Sequence, residues 1–155
     1  MKLIDYLNPE LIFLDLPARS KEEALAGIAR SMEQAGAVQS DSELLKVISQ
    51  RESQGSTSLG NGVAIPHARL KCLEKITLAM ARVAPGIDFG GEGHPPVQLI
   101  FLLLTPVDKA AEYLKVLARL SKLMKENDLP KSMKKIPSPQ AAWEFFASLE
   151  NQEIH

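Results

Sequence analysis

From Val97 to Thr105 the chain reads VQLIFLLLT, apolar at every position but the second and the last, and Pro106 follows at once. Successive side chains of a strand point to opposite faces, so such a run is stable only when both faces are covered. Its apolar heart, Leu99 to Leu104, is far too short to span a bilayer. The chain must therefore supply layers for both sides of a sheet, and the segments around the run have the periodicity to do so.

Leu11 to Leu14 reads as a strand. Ser20 with Glu23 three residues on forms a capping box for a helix whose apolar positions Leu25, Ile28, Ala29 and Met32 recur at helical spacing. Ser40 caps a second helix through Leu44, Val47 and Ile48 to Arg51. Ile76 to Val83 alternates large Ile76, Leu78 and Met80 with small Thr77, Ala79 and Ala81, as a strand packed on helices would. Pro85-Gly86 and the GGEGHPP stretch mark loops. Asp108 is placed to cap a long helix through Leu114, Leu117 and Met124. A short helix falls between Asp128 and Lys135, and Ser138 opens the last, with Ala142, Phe145, Phe146 and Leu149 inward and Trp143 in the core. Strands alternating with helices imply one α/β domain over residues 1–155, with a mixed β-sheet covered by helices and a core from about 11 to 149.

Composition narrows the function. A formal net charge of −1, with cations dispersed rather than clustered with aromatics, suggests neither a nucleic-acid surface nor a polybasic membrane patch. The N-terminus MKLIDYLNPE lacks the apolar core of a signal peptide. Cys72 is the only cysteine, which excludes a disulfide within the chain and fits a reducing, cytoplasmic compartment; it reads as a small packing residue. His67, His94 and His155 lack metal-ligand spacing, so no metal or other cofactor is expected.

One segment packs glycines, hydroxyls, arginine and a histidine together: RESQGSTSLGNGVAIP, Arg51 to Pro66, leading into His67. Asn61-Gly62 is a strong hairpin signal between Ser58-Leu59 and the apolar run Val63-Ala64-Ile65, which puts His67 at the end of a strand. Pro66 fixes φ just before it and offers no N–H. A neutral imidazole is a nucleophile and, once protonated, a good leaving group, which suits reversible phosphoryl transfer. Such transfer depends mainly on positioning and charge stabilisation, for which Arg51 and Arg69 supply fork-shaped cations. Ser56 and Thr57 supply hydroxyls, and Gly60 and Gly62 leave a phosphate unobstructed. The segment has no Gly-Lys-Ser/Thr after its glycines, so it is not a nucleotide loop.

RExxGSTxxGxGxAIPHAR resembles the active-site signature of the Enzyme IIA domains of the bacterial phosphotransferase system, fructose/mannitol type, a group that includes the nitrogen-related regulatory IIA proteins. The likeness extends from about Leu11 to Leu149 and takes in VQLIFLLLTP and the following LKVLARLSKLM. It implies the IIA fold, with His67 accepting a phosphoryl group from the small carrier protein HPr or a nitrogen-branch relative and Arg51 in a supporting role. The downstream partner would be a IIB domain, or a regulated transporter or kinase. Many family members carry a second histidine before a leucine in the helix after the long strand; here the sequence is Glu112-Tyr113-Leu114. Tyr113 donates a hydrogen bond but does not become a cation near neutral pH, and Glu112 would repel phosphate if it faced the site. His94 does not align with the missing histidine.

Three readings follow. The first is a phosphohistidine carrier, regulatory rather than dedicated to sugar transport, or else a fructose/mannitol-specific IIA donating to a IIB cysteine. The second is a non-phosphorylated binding module that keeps the fold and controls a transporter. The third is an unrelated small-anion binder using the same glycine and arginine loop.

Overall fold

A computed structural model describes residues 2–153, so His155 lies outside the described residues. After a 3-10 turn at Leu3–Asp5, the elements are β1 (Leu7–Phe13), α1 (Lys21–Gln34), α2 (Asp41–Ser53), β2 (Val63–Ala64), β3 (His67–Arg69), β4 (Thr77–Ile87), β5 (Val97–Thr105), α3 (Ala110–Glu126), α4 (Leu129–Met133) and α5 (Pro139–Glu153). They build one mixed sheet in the order β1-β4-β5-β2, with β3 also on β5. Among these strands only the β4–β5 pair is antiparallel; β1 runs parallel to β4, and β2 and β3 run parallel to β5.

β5 is the central strand, and both its faces are dry. Leu99, Phe101 and Leu103 join the core beneath α3, α4 and α5, whereas Ile100, Leu102 and Leu104 join the core beneath α1 and α2. The alternation in β4 has the same consequence: Leu78 and Met80 face the α3–α5 layer, and Ala79 and Ala81 face the α1–α2 layer. On β4 the larger side chains thus fill the core under α3 to α5, while the small ones lie under α1 and α2 beside Ile100, Leu102 and Leu104 of β5.

The helix caps follow the local sequence. Ser20 Oγ accepts from Glu23 N at 3.1 Å and Ser40 Oγ from Glu43 N at 3.2 Å. Ser138 Oγ accepts from Ala141 N at 3.1 Å, and Asp128 caps the short α4. Asp108 does not cap α3: the helix starts one residue later, behind Lys109, and no side chain accepts from its first N–H groups at that cap.

Other expectations shift for identifiable reasons. β1 begins at Leu7, not Leu11, and contains Pro9; an edge strand with a register break between Leu7 and Ile12 tolerates a residue without an N–H. β4 continues to Ile87 through Pro85-Gly86, which occupies the irregular register between Arg82 and Ile87 instead of a loop. Leu114, expected inward, is 61% exposed, because the buried stripe of α3 runs along Val116, Leu120, Leu123 and Met124 on another side of the helix. Cys72 is exposed beyond β3 instead of packed. Phe146 is buried, and Trp143, Phe145 and Leu149 are partly buried against the same core.

The N-terminal turn is tied down by Glu150, whose fully buried carboxylate accepts from Leu3 N at 2.8 Å, Ile4 N at 3.0 Å and the Arg119 guanidinium at 3.2 Å. No helix among the described residues is long and apolar enough to cross a membrane.

Candidate functional site

His67 opens β3 rather than closing the strand before it, because Pro66 has no N–H with which to continue the β2 ladder. Pro66 still accepts Leu103 N at 3.0 Å, so the chain stays on β5 through the break. In the parallel register His67 lies beside Leu103, and its side chain takes the same face of the sheet, toward α3. Ala68, one residue on, turns to the opposite core. The site therefore stands at the start of β3 and near the carboxyl end of β5.

The imidazole is half-buried, and its Nδ1 lies 2.8 Å from the carbonyl oxygen of Ile65. A carbonyl only accepts, so in the neutral ring Nδ1 carries the proton and donates it there. Nε2 keeps its lone pair, and the main chain holds the ring in one direction.

Tyr113, in the first turn of α3, lies beside it, with ring centroids 6.1 Å apart. Burial pushes the Tyr113 phenol up to about 12, against the pull of the Arg51 and Arg69 guanidinium groups, which favour the phenolate. That pull places both arginines within electrostatic reach of the hydroxyl. Arg51, in the last turn of α2, donates from Nη1 to Gly55 O at 3.1 Å. Arg69 is exposed two residues beyond His67, on the same side of β3. His67, Tyr113, Arg51 and Arg69 are thus brought together from β3, α3 and α2: a nucleophile, a neutral donor and two cations.

Glu112 stands clear of this group. It accepts the Tyr6 hydroxyl at 2.7 Å, and this bond is the main reason the Tyr6 phenol is pushed up to about 12.

The remaining loop residues brace the chain. Thr57 donates both its N–H, at 3.2 Å, and its hydroxyl, at 2.6 Å, to the carboxylate of Glu52. Ser56 Oγ donates to Phe89 O at 2.8 Å and accepts Ser58 N at 3.1 Å. The turn closes through Leu59 N to Val63 O at 2.9 Å, with positive φ at Gly60 and Gly62 but not at Asn61. It therefore differs from the Asn-Gly turn expected, in which both central residues would be left-handed. Asn61 donates instead to Met124 O at 2.8 Å, tying the turn to the end of α3. The left-handed backbone at Gly60 (φ 88°) and Gly62 (φ 83°) favours glycine, and a Cβ would also come within 3.3 Å of the His94 ring at Gly60 and within 3.2 Å of Pro130 at Gly62. His94 takes Ser58 Oγ at 3.0 Å and packs on this turn.

Glu52 is the residue that the sequence reading missed. It is 6% exposed and pairs with Lys21 at 2.9 Å as well as with Thr57. A signal was present, since Leu44, Ile48 and Glu52 follow at intervals of four and form the buried stripe of α2. Among the described residues no group of three or more His, Cys, Asp or Glu side chains is arranged to hold a metal ion.

Residues 5–149 match the family model for the phosphoenolpyruvate-dependent sugar phosphotransferase system, EIIA 2. The chain is 38% identical over 95% of its length, and 95% of the relative's, to a nitrogen regulatory protein from Bradyrhizobium diazoefficiens. It is 31% identical, over 90% of its length and 91% of the relative's, to the fructose-specific EIIA component of Haloferax volcanii. The crystal structure of the nitrogen regulatory protein IIA-Ntr from Neisseria meningitidis superposes with a TM-score of 0.84 at 28% identity, covering 93% of this chain and 98% of that one. Escherichia coli IIA mannitol shares the fold, with a TM-score of 0.73 at 21% identity, over 90% of this chain and 97% of that one. With its mixed sheet between two helical layers and its Arg51-to-Arg69 loop, the chain belongs to the EIIA type 2 family of the phosphotransferase system, whose members are carriers in phosphoryl transfer.

Proposed function

We propose that this chain is a phosphohistidine carrier that accepts a phosphoryl group on Nε2 of His67 from HPr or a nitrogen-branch relative. The observation that carries the reading is the hydrogen bond from Nδ1 to Ile65 O, which leaves Nε2 as the available nucleophile. In the transfer, the Nε2 lone pair forms a bond to phosphorus as the N–P bond of the donor phosphohistidine breaks. The donor ring, protonated on its other nitrogen, leaves as neutral imidazole. The Nδ1 proton stays on His67, where Ile65 O supports the positive charge the ring gains. Arg51 and Arg69 stabilise the phosphoryl oxygens, and Tyr113 donates its O–H to one of them. Ser56, Thr57, Gly60 and Gly62 support the site by holding the loop in shape.

Regulation fits better than dedicated sugar transport, because the Bradyrhizobium nitrogen regulatory protein matches along nearly its whole length at the higher identity. Its phosphorylation state would then control how it binds a transporter or kinase. Transfer onward to a IIB cysteine remains the alternative within the same chemistry; a solved complex joins E. coli IIA mannitol to phosphorylated IIB mannitol. Each of these partners is protein, and with a single exposed thiol the chain suits a reducing cytoplasm. Tyr113 in place of a second imidazole supports a separate reading, a binding module that is never phosphorylated.

Incubation with phosphoenolpyruvate, Enzyme I and HPr, followed by intact mass, separates the two. The carrier gains one phosphate, His67→Ala gains none, and Arg51→Ala gains it at least ten-fold more slowly. A wild-type chain that gains no phosphate beside an active relay favours the binding module, and a phosphorylated His67→Ala excludes His67 as the acceptor.

A further inference from the structure

Arg51 and Glu52 are neighbours in the last turn of α2, yet their side chains diverge. Arg51 bonds Gly55 O and acts electrostatically on Tyr113, while Glu52 turns beneath the loop that leads to His67. Its carboxylate receives Lys21 Nζ at 2.9 Å, Thr57 N at 3.2 Å and Thr57 Oγ1 at 2.6 Å. The ammonium of Lys21 is itself held over the Phe89 ring, 4.7 Å from its centroid, so the anchor does not swing freely.

From Thr57 a continuous path leads to the reacting ring. Thr57 O accepts Ile65 N at 3.2 Å, Ser58 bridges to Ala64, and Ile65 O receives His67 Nδ1 at 2.8 Å. The carbonyl that selects the imidazole tautomer is therefore held on its own residue by Thr57, and Thr57 is held by Glu52. A histidine ring free in water prefers the opposite tautomer, with the proton on Nε2, so the nucleophilic form depends on that carbonyl staying in place.

We propose that Glu52 is a positioning residue for His67: by clamping Thr57 it fixes the Ile65 carbonyl, and so the Nδ1-protonated tautomer that presents Nε2. Its kinetic consequence rests on the phosphohistidine reading above; its effect on the ring does not. The experiment is imidazole ¹⁵N NMR at pH 8 on the unphosphorylated wild type and on Glu52→Ala, Glu52→Gln and Thr57→Val, with phosphoryl transfer from phospho-HPr measured in parallel. The wild type shows the Nδ1–H form. Glu52→Ala moves the population toward Nε2–H and slows transfer at saturating donor at least ten-fold. The half-saturating donor concentration stays within about two-fold, because the docking surface is untouched.

Glu52→Gln keeps an acceptor for the Thr57 hydroxyl and recovers most of the tautomer. Thr57→Val, near in shape, shifts it in the same direction as Glu52→Ala but less far. An unchanged tautomer in folded Glu52→Ala overturns the proposal, as does transfer lost without a tautomer shift. If Glu52→Ala fails to fold, Thr57→Val decides by the same criterion. A wild type that accepts no phosphate defeats the carrier reading alone, because the tautomer measurement still decides the role of Glu52.

Discussion

If His67 carries the phosphoryl group as proposed, replacing Tyr113 by histidine should make the phosphorylated form more abundant at low pH and leave it little changed at high pH. In the wild type the phenol is pushed up to about 12, so across the physiological range Tyr113 is a neutral donor whose contribution does not vary with pH. An imidazole in its place would stand about as far from His67 as the present 6.1 Å between ring centroids. Arg51 and Arg69 act on that position and favour a neutral ring, so before phosphorylation its pKa lies below the usual value of about 6.5.

A phosphoryl group on His67 reverses the balance. At roughly 6 Å and an effective dielectric near 20, each unit charge on the phosphoryl group attracts an imidazolium by about 3 kcal/mol. Solvent reaching the half-exposed site reduces this to about 1 kcal/mol, roughly five-fold in phosphoprotein at equilibrium. The sign follows from the proton. The phosphorylated state has the higher pKa at residue 113, so the gain is complete below the lower pKa and vanishes as pH rises through the higher one. At fixed ratios of phospho-HPr to HPr, intact mass between about pH 5.5 and 8.5 should give a Tyr113→His to wild-type ratio near five at the acid end. Near the alkaline end it should approach unity. The donor's own pH dependence cancels in that ratio. Tyr113→Phe is the companion variant: loss of a hydrogen bond to a charged oxygen, about 1.5–3 kcal/mol, should slow transfer at least ten-fold at every pH. A flat Tyr113→His ratio together with a neutral Tyr113→Phe would show that residue 113 does not meet the phosphoryl group.

Two further predictions concern stability. Glu150→Ala removes the buried acceptor of Leu3 N, Ile4 N and Arg119, and should cost about 3–5 kcal/mol, a fall in melting temperature of roughly 10 °C; a fall below about 3 °C would mean the N-terminal turn is held by its apolar contacts alone. Both tyrosines of the chain are raised to about 12 from an ordinary value of 10.0, Tyr6 chiefly by its bond to Glu112 and Tyr113 by burial. Their contribution to stability is therefore fully present below pH 10 and is lost as pH rises through about 12. Ultraviolet titration of the native protein should show little phenolate at pH 10, and a native tyrosine half-ionised there would contradict the placement of at least one of them.

The parts of the fold legible in the sequence are those where one local rule acts alone. Ser20 with Glu23, and Ser40, cap their helices as their spacing implies, and the large-small alternation of β4 sorts its side chains between two helical layers. The less legible parts are those where tertiary structure overrides a local rule. Pro9 would ordinarily break a strand, but β1 is an edge with an irregular register, and the interior strand β4 takes in Pro85-Gly86 where its own register with β5 is interrupted. In the site, the clustering of glycines and arginines pointed to His67, whereas the directions of the Ser56 and Thr57 hydroxyls depended on Phe89 and Glu52. Glu52 was hidden by its residue type. A carboxylate near the end of a helix is usually solvated, and only its phase with Leu44 and Ile48 marks it as buried.

That buried carboxylate bears on a conflict any protein-to-protein phosphoryl carrier faces. The reacting imidazole must reach the histidine of another protein, so it cannot be immobilised by deep burial, and a ring free to rotate would offer either nitrogen. Here the conflict is divided between two layers. The outer layer, half-buried His67, Tyr113 and Arg51 with exposed Arg69, has side chains able to meet phosphate. The layer beneath consists of main-chain groups, Ile65 O and Thr57 O, whose positions are set by Glu52, Lys21 and the β5 ladder. A hydrogen bond from a ring to a main-chain carbonyl constrains the ring without covering its other nitrogen. Precision at the surface is thus set from below, and a substitution at Glu52, out of contact with donor and phosphate, should act on the rate through the direction of one lone pair.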